Sequence, residues 1–224
     1  MKGFFNSSIG KKLIMSLSGL FLIVFLLVHL TVNSFMLFGQ EAFNIGAHFM
    51  ATNPLIKIME PILAAGFIVH IVYSLILGFQ NLKARPVKYA VENTSRTSTV
   101  AALNMLVLGG LVSVFLVIHL INFYFKMKFG EMTTVFLEGV AMDDAYSLAV
   151  ETFSRWYYVL LYVLGAFFLM LHLSHGFQSA FQTVGLNNEN WRKRWSAIGN
   201  VFSAIFGLGY SGIAVIMFVK SILA

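Results

Sequence analysis

The sequence predicts an all-α integral membrane bundle of five transmembrane helices. Three observations predict it. Of 224 residues, 58% are hydrophobic and only 11% are charged, with a mean hydropathy of +0.82; a soluble domain of this size would be about a quarter charged. Five stretches reach the ~20 apolar residues that cross a bilayer core. Cysteine is absent, which excludes disulfides, iron–sulfur clusters and any thiolate-ligated metal centre within the chain.

The first span, about 13–38, follows Lys2, Lys11 and Lys12. Basic residues before an apolar run also begin a signal peptide, but this run is too long and has no small-residue cleavage site, so it should stay as a helix. The second (about 55–82), third (99–125), fourth (154–182) and fifth (196–223) spans are separated by segments too short for a soluble domain. Residues 1–224 therefore read as one transmembrane domain. Pro54, Pro61 and Pro86, the only prolines, fall near helix ends, unlike the interrupted helices of many transporters. Trp156, Trp191 and Trp195 sit where interface anchors are expected.

Charge orients the bundle. Lys2, Lys11, Lys12, Lys83, Arg85, Lys88, Arg96, Arg192, Lys193 and Arg194 fall on the N-terminal side, against Lys57, Lys126, Lys128, Arg155 and Lys220 on the other. Ten basic residues against five place the N-terminus in the cytoplasm by the positive-inside rule. Seven of the nine acidic residues (Glu41, Glu60, Glu131, Glu138, Asp143, Asp144 and Glu151) fall outside. The net charge of +6 is thus a topology signal. Its basic residues are scattered over loops without interleaved aromatics, which is not the pattern of a nucleic-acid surface.

Four of the five spans each carry a histidine inside an apolar run: LLVHLTVN (His29), GFIVHIVY (His70), LVIHLINF (His119) and LMLHLSHG (His172). An ionisable ring in hydrocarbon is costly and marks a functional site by default. Depth follows from the rise of 1.5 Å per residue. His29 lies 17 residues past Lys12, about 25 Å from the cytoplasmic edge, and His119 lies 20 past Thr99, about 30 Å in. Running back inward, His70 is 13 residues from Lys83, about 20 Å, and His172 is 17 past Arg155, about 25 Å from the outer edge. The four sort into an outer pair, His29 with His119, and an inner pair, His70 with His172. Two stacked bis-histidine haems require this arrangement, with ligands on facing helices of a bundle. The simpler alternative for any one of these histidines is an interhelical hydrogen bond or a step in a proton path. His175, about 60° around the helix from His172, is an alternative inner ligand, and His48 reads as a polar residue of the outer loop.

Glycine spacing points the same way. Gly19 precedes His29 by ten residues and Gly109 precedes His119 by ten, so each lies about 15 Å down its helix, level with the inner pair. A flat macrocycle needs close backbone approach there; helix–helix packing at small residues is the other explanation.

At these residues the chain resembles a known family, the single-subunit, five-helix, di-haem cytochrome b anchors of succinate dehydrogenase and fumarate reductase complexes. The resemblance spans essentially the whole length. It rests on SLSG (Ser16 to Gly19) before His29, HLTVNSF followed by GQEAFN (Gly39 to Asn44), VHIVY at His70, IHL at His119, and LHLSHG ending at Gly176. The resemblance implies two haems b, the outer held by His29 and His119 and the inner by His70 and His172, with Ser16, Gly19 and Gly109 lining the pockets. It favours His172 over His175. It also implies a bacterial inner-membrane location. A flavoprotein and an iron–sulfur subunit would dock on the cytoplasmic face, and electrons would pass through both haems to a quinone, specifically menaquinone, in the electron transport of the tricarboxylic acid cycle. Carrying an electron outward is favourable by up to about 2.3 kcal/mol per 100 mV of membrane potential. Succinate chemistry itself would belong to the flavoprotein, since this chain has no flavin or dicarboxylate motif.

The chain departs from the family in two places. Where some members have a proton-carrying glutamate two residues before the helix 4 ligand, this chain has Met170. A glutamate of the first outer loop corresponds to about Ala51. The quinone-site proton donor is therefore not identified by motif, and Asn33, His48 and Asn122 are the candidates. Alternative readings are the haem b anchor of a hydrogenase or formate dehydrogenase, and a haem-free transporter or channel.

Overall fold

A computed structural model of the chain describes residues 7–83, 104–186 and 188–223. Lys2, the basic residues Arg85, Lys88 and Arg96, Pro86 and the expected helix start near residue 99 lie outside the described residues. Among the described residues, five helices are long and apolar enough to cross a membrane. The first, α1 (Ser8–Ser34), is capped by the Ser7 side chain, which accepts from the Gly10 N–H at 3.0 Å. It runs on as a short 3-10 turn (Phe35–Phe38) that stops at Gly39, whose φ of 112° suits glycine.

The outer loop expected next is instead a helix, α2 (Gln40–Thr52), so His48 is a helical, half-buried residue. Its apolar side, Phe43 and Ala47, belongs to the larger core cluster. Asn53 then opens α3 (Pro54–Lys83), its side chain accepting from Leu55 N–H at 2.9 Å while Pro54 takes the first helical position. Pro61 lies inside α3 rather than at its end; having no N–H, it cannot bond the Lys57 carbonyl one turn back.

The third membrane helix begins as α4 (Met105–His119), widens into a π-helical turn at Leu120–Tyr124 directly after the histidine, and closes as α5 (Phe125–Phe129). At its far end Lys128 and Tyr124 both reach Glu60 on α3, the lysine as a salt bridge at 2.8 Å. A hairpin follows, β1 (Thr134–Leu137) paired antiparallel with β2 (Val140–Asp143). Its two-residue turn, Glu138 and Gly139, has positive φ at both positions, the twist that two-residue hairpin loops need.

Short helix α6 (Ala145–Phe153) is capped by Asp144. That carboxylate is 5% exposed and accepts from Gln40 and Asn44 of α2 (2.8 and 2.9 Å) and from the Ser147 N–H and hydroxyl (3.1 and 2.6 Å). Asn44, fully buried, returns a bond from the Tyr146 N–H at 2.9 Å. Burial pushes the Asp144 carboxyl up, but the hydrogen bonds from Ser147, Asn44 and Gln40 outweigh it and hold it below its ordinary value. These bonds tie α2, α6 and the hairpin into a cap over the end of the bundle remote from the N-terminus.

The fourth and fifth spans are α7 (Trp156–Thr183) and α8 (Glu189–Leu223). The turn between them is a Schellman stop: Gly185 has φ 91°, its N–H bonds the Gln182 carbonyl, and the Leu186 N–H bonds that of Phe181. Trp195 bonds the Leu186 carbonyl and stacks on Phe181 at 4.1 Å, so it stitches the two helices, while Trp156 is exposed.

Helices α1, α3, α4 and α7 form a ring, and α8 packs behind α7 and α1. Glycines admit large side chains at the contacts: Gly207 against Met170, Gly165 against Phe115, Gly199 against Phe177 and Gly209 against Leu30. Close backbone approach at small residues is the usual basis of helix association in a bilayer.

Candidate functional site

The ring of helices brings the four histidines together in the two pairs that depth alone predicts. His29 and His119 face each other with ring centres 5.6 Å apart, and His70 and His172 at 6.3 Å. Each pair joins two helices of the ring: α1 with α4, and α3 with α7.

The two pairs lie at different levels. A Cβ added to Gly19 on α1 would lie 3.3 Å from His70 Cε1, and one on Gly109 of α4 would lie 3.4 Å from His172 Cε1. Gly19 and Gly109 are thus level with the His70–His172 pair, while His29 and His119 stand ten residues, about 15 Å, further along the same two helices. We call the His70–His172 level near, being closer to the N-terminus of α1, and the His29–His119 level far.

At the near level the His70 Nδ1 lies 3.2 Å from the Ser18 hydroxyl, which itself donates to the Met15 carbonyl at 3.0 Å. Ser16, the serine singled out from the sequence, is buried in α1; the hydroxyl that reaches the histidine belongs to Ser18. His172 Nδ1 is buried and has no hydrogen-bond partner among the described residues. His175 is half buried and makes no ring contact with His70, which pairs with His172.

Aromatic rings surround the far level. His29 stacks on Phe25 at 5.2 Å and meets Tyr210 of α8 at 5.8 Å, and the Tyr210 hydroxyl donates to the Leu26 carbonyl at 3.0 Å. His119 is bounded by Phe115, Phe123 and Tyr162. Asn33 donates to the His29 carbonyl one turn back at 2.7 Å, and the same amide nitrogen is 3.4 Å from His29 Nδ1. Asn122 is 6% exposed and donates to the Tyr162 hydroxyl at 3.3 Å. Both asparagines therefore belong to the far layer. His48 is apart from them on α2, and Ala51 is exposed. Met170 packs on Gly207.

Tyr162, Tyr210 and Ser18 escaped the sequence reading. The only signal for Ser18 was its place in the SLSG segment; the tyrosines join the site through tertiary packing alone.

The residues fit a bis-imidazole haem on several counts. Two imidazoles bound through nitrogen on opposite sides of one metal, each at about 2 Å, hold their ring centres about 6 Å apart, close to both observed spacings. The glycine facing each near-level ring leaves no side chain against its edge, and the buried His172 Nδ1 has no hydrogen-bond partner among the described residues. Nitrogen donors in a chain without cysteine would suit a haem held by histidines rather than by thiolate. No protein-family model, curated protein or solved structure matches this chain.

Proposed function

We propose that this chain is the membrane-anchor cytochrome b of a succinate:quinone oxidoreductase, relaying electrons from an iron–sulfur subunit through two b haems to a membrane quinone, menaquinone by resemblance. One observation carries the proposal: two opposed histidine pairs stand at two levels of one apolar four-helix ring. Each haem, when bound, supplies a one-electron carrier. His70 and His172 would hold the one at the near level, His29 and His119 the one at the far level.

The protein's own contribution is positional. Tyr162, Phe115 and Phe123 pack around His119, and Phe25 and Tyr210 around His29, restricting both rings and keeping water from the far level. Arg192, Lys193 and Arg194, all exposed at the start of α8, would meet the soluble subunits on the cytoplasmic side. Asn33 and Asn122 provide polar groups in the far layer, where the quinone would be reduced.

The test is a reduced-minus-oxidised spectrum of membranes containing the chain, with haem counted per polypeptide. Two b haems are expected. His29→Ala and His119→Ala should each remove the same one, and His70→Ala and His172→Ala the other. Absence of haem, or loss of the His70–His172 centre from His29→Ala, overturns the reading.

A further inference from the structure

We propose that Ser18 is a positioning residue for His70, holding its imidazole in the Nδ1–H tautomer so that Nε2 is the nitrogen presented to a metal. The inference rests on the haem reading above and deepens it.

Ser18 Oγ has one hydrogen, and a serine hydroxyl within a helix commonly commits it to a carbonyl one turn back; here that carbonyl is Met15 O, at 3.0 Å. The oxygen can then only accept from its second neighbour, His70 Nδ1 at 3.2 Å. A neighbour that can only accept requires a proton on Nδ1. A neutral imidazole carries one N–H, so Nε2 keeps its lone pair.

The far level differs in its donors and acceptors. The polar group beside His29 Nδ1 is the Asn33 amide nitrogen, which can only donate, and its shorter bond goes to the His29 carbonyl. Among the described residues, no acceptor is hydrogen-bonded to His29 Nδ1. Ser18 also reaches across from α1 to α3, whereas Asn33 bonds within its own helix. The hydroxyl therefore fixes the ring plane of a histidine on a neighbouring helix as well as its tautomer.

A hydrogen bond from the non-ligating N–H makes an imidazole a stronger donor, which favours the oxidised metal. Removing the hydroxyl should shift the reduction potential of the near-level centre in the positive direction. A tenfold fall in the preference for the oxidised form corresponds to about 59 mV in a one-electron couple.

The experiment is a potentiometric titration of the whole chain in membranes, followed optically, with the low-spin ferric signals recorded by EPR. Wild type, Ser18→Ala, Ser18→Thr and Asn33→Ala are compared. Ser18→Ala is expected to raise the potential of the centre that His70→Ala abolishes, to move its EPR signal, and to leave the other centre alone. Ser18→Thr, which keeps the hydroxyl, should restore both properties. Two haems whose potentials are unmoved by Ser18→Ala, or two centres shifting equally, would overturn this assignment while leaving the haem reading standing. A wild-type chain without haem would overturn both.

Discussion

Gly109 and Gly110 are neighbours on α4, yet leucine at the two positions should have opposite effects. A Cβ at Gly109 would lie 3.4 Å from His172 Cε1 and 3.8 Å from Nδ1, whereas one at Gly110 would meet nothing within 4 Å. Alanine at 109 is therefore at ordinary contact distance and should be tolerated. Leucine adds a branched carbon about 1.5 Å further out, and carbon contacts closer than about 3.5 Å are repulsive. The His172 ring must then move, while a metal–nitrogen bond tolerates only about 0.2 Å. Overpacking of this kind costs about 1–3 kcal/mol, a 5- to 150-fold loss of occupancy on the usual conversion. Gly109→Leu should lose the haem of the His70–His172 pair and keep the other, about 15 Å away; Gly110→Leu should keep both. Haem per polypeptide and the redox titration read the outcome. Equal haem loss from both variants, or loss of the His29–His119 centre from Gly109→Leu, would refute the reasoning.

Other consequences can be tested on the same preparation. The depressed Asp144 carboxyl contributes stability that is present above its unfolded pKa and is lost as pH falls through its lower folded value. The melting temperature should therefore drop in acid, and Asp144→Ala should cost about 1–3 kcal/mol near neutrality and flatten that pH dependence; a variant melting like wild type counts against the cap. Neutralising Arg192, Lys193 and Arg194 together should reduce co-purification of the soluble subunits more than neutralising Lys126 and Lys128, and equal losses would oppose the proposed orientation. Asn122→Leu, which removes the bond to Tyr162, should slow quinone reduction while succinate still reduces both haems; unchanged quinone turnover would remove Asn122 from the quinone site.

The five spans and the histidine pairing were legible because both depend on length along the chain. Hydropathy marks the spans, and a fixed rise per residue converts sequence separation into depth. Features set by rotation or by distant contacts were not. Ser16 and Ser18 lie two residues apart and so about 200° apart around α1, and nothing in α1 says which side meets α3. Helix α2 was read as a loop because its 13 residues are too few to span a bilayer, and Phe43 and Ala47 declare their face only once α6 and α8 are packed on them. Helix α8 begins at Glu189 rather than near 196, since its polar first turns, capped by Asn188, are invisible to hydropathy. The sequence places Pro61 near a helix end, within the second span, and it lies inside α3, two turns past Pro54.

The placement of Gly19 and Gly109 has a mechanical consequence. Helix α1 supplies His29 to the far level and the bare backbone facing His70 to the near level, and α4 likewise supplies His119 and the bare backbone facing His172. Each of these helices is thus keyed at two points a fixed ten residues apart. A slip of one residue would turn the whole helix by about 100°, withdrawing the far-level histidine and driving a side chain against the near-level ring in a single movement. Neither histidine pair can be repositioned by shifting α1 or α4 without disturbing the other. The double keying also gives the folding chain a criterion for register that lipid-facing leucines and phenylalanines, interchangeable along the helix, do not provide.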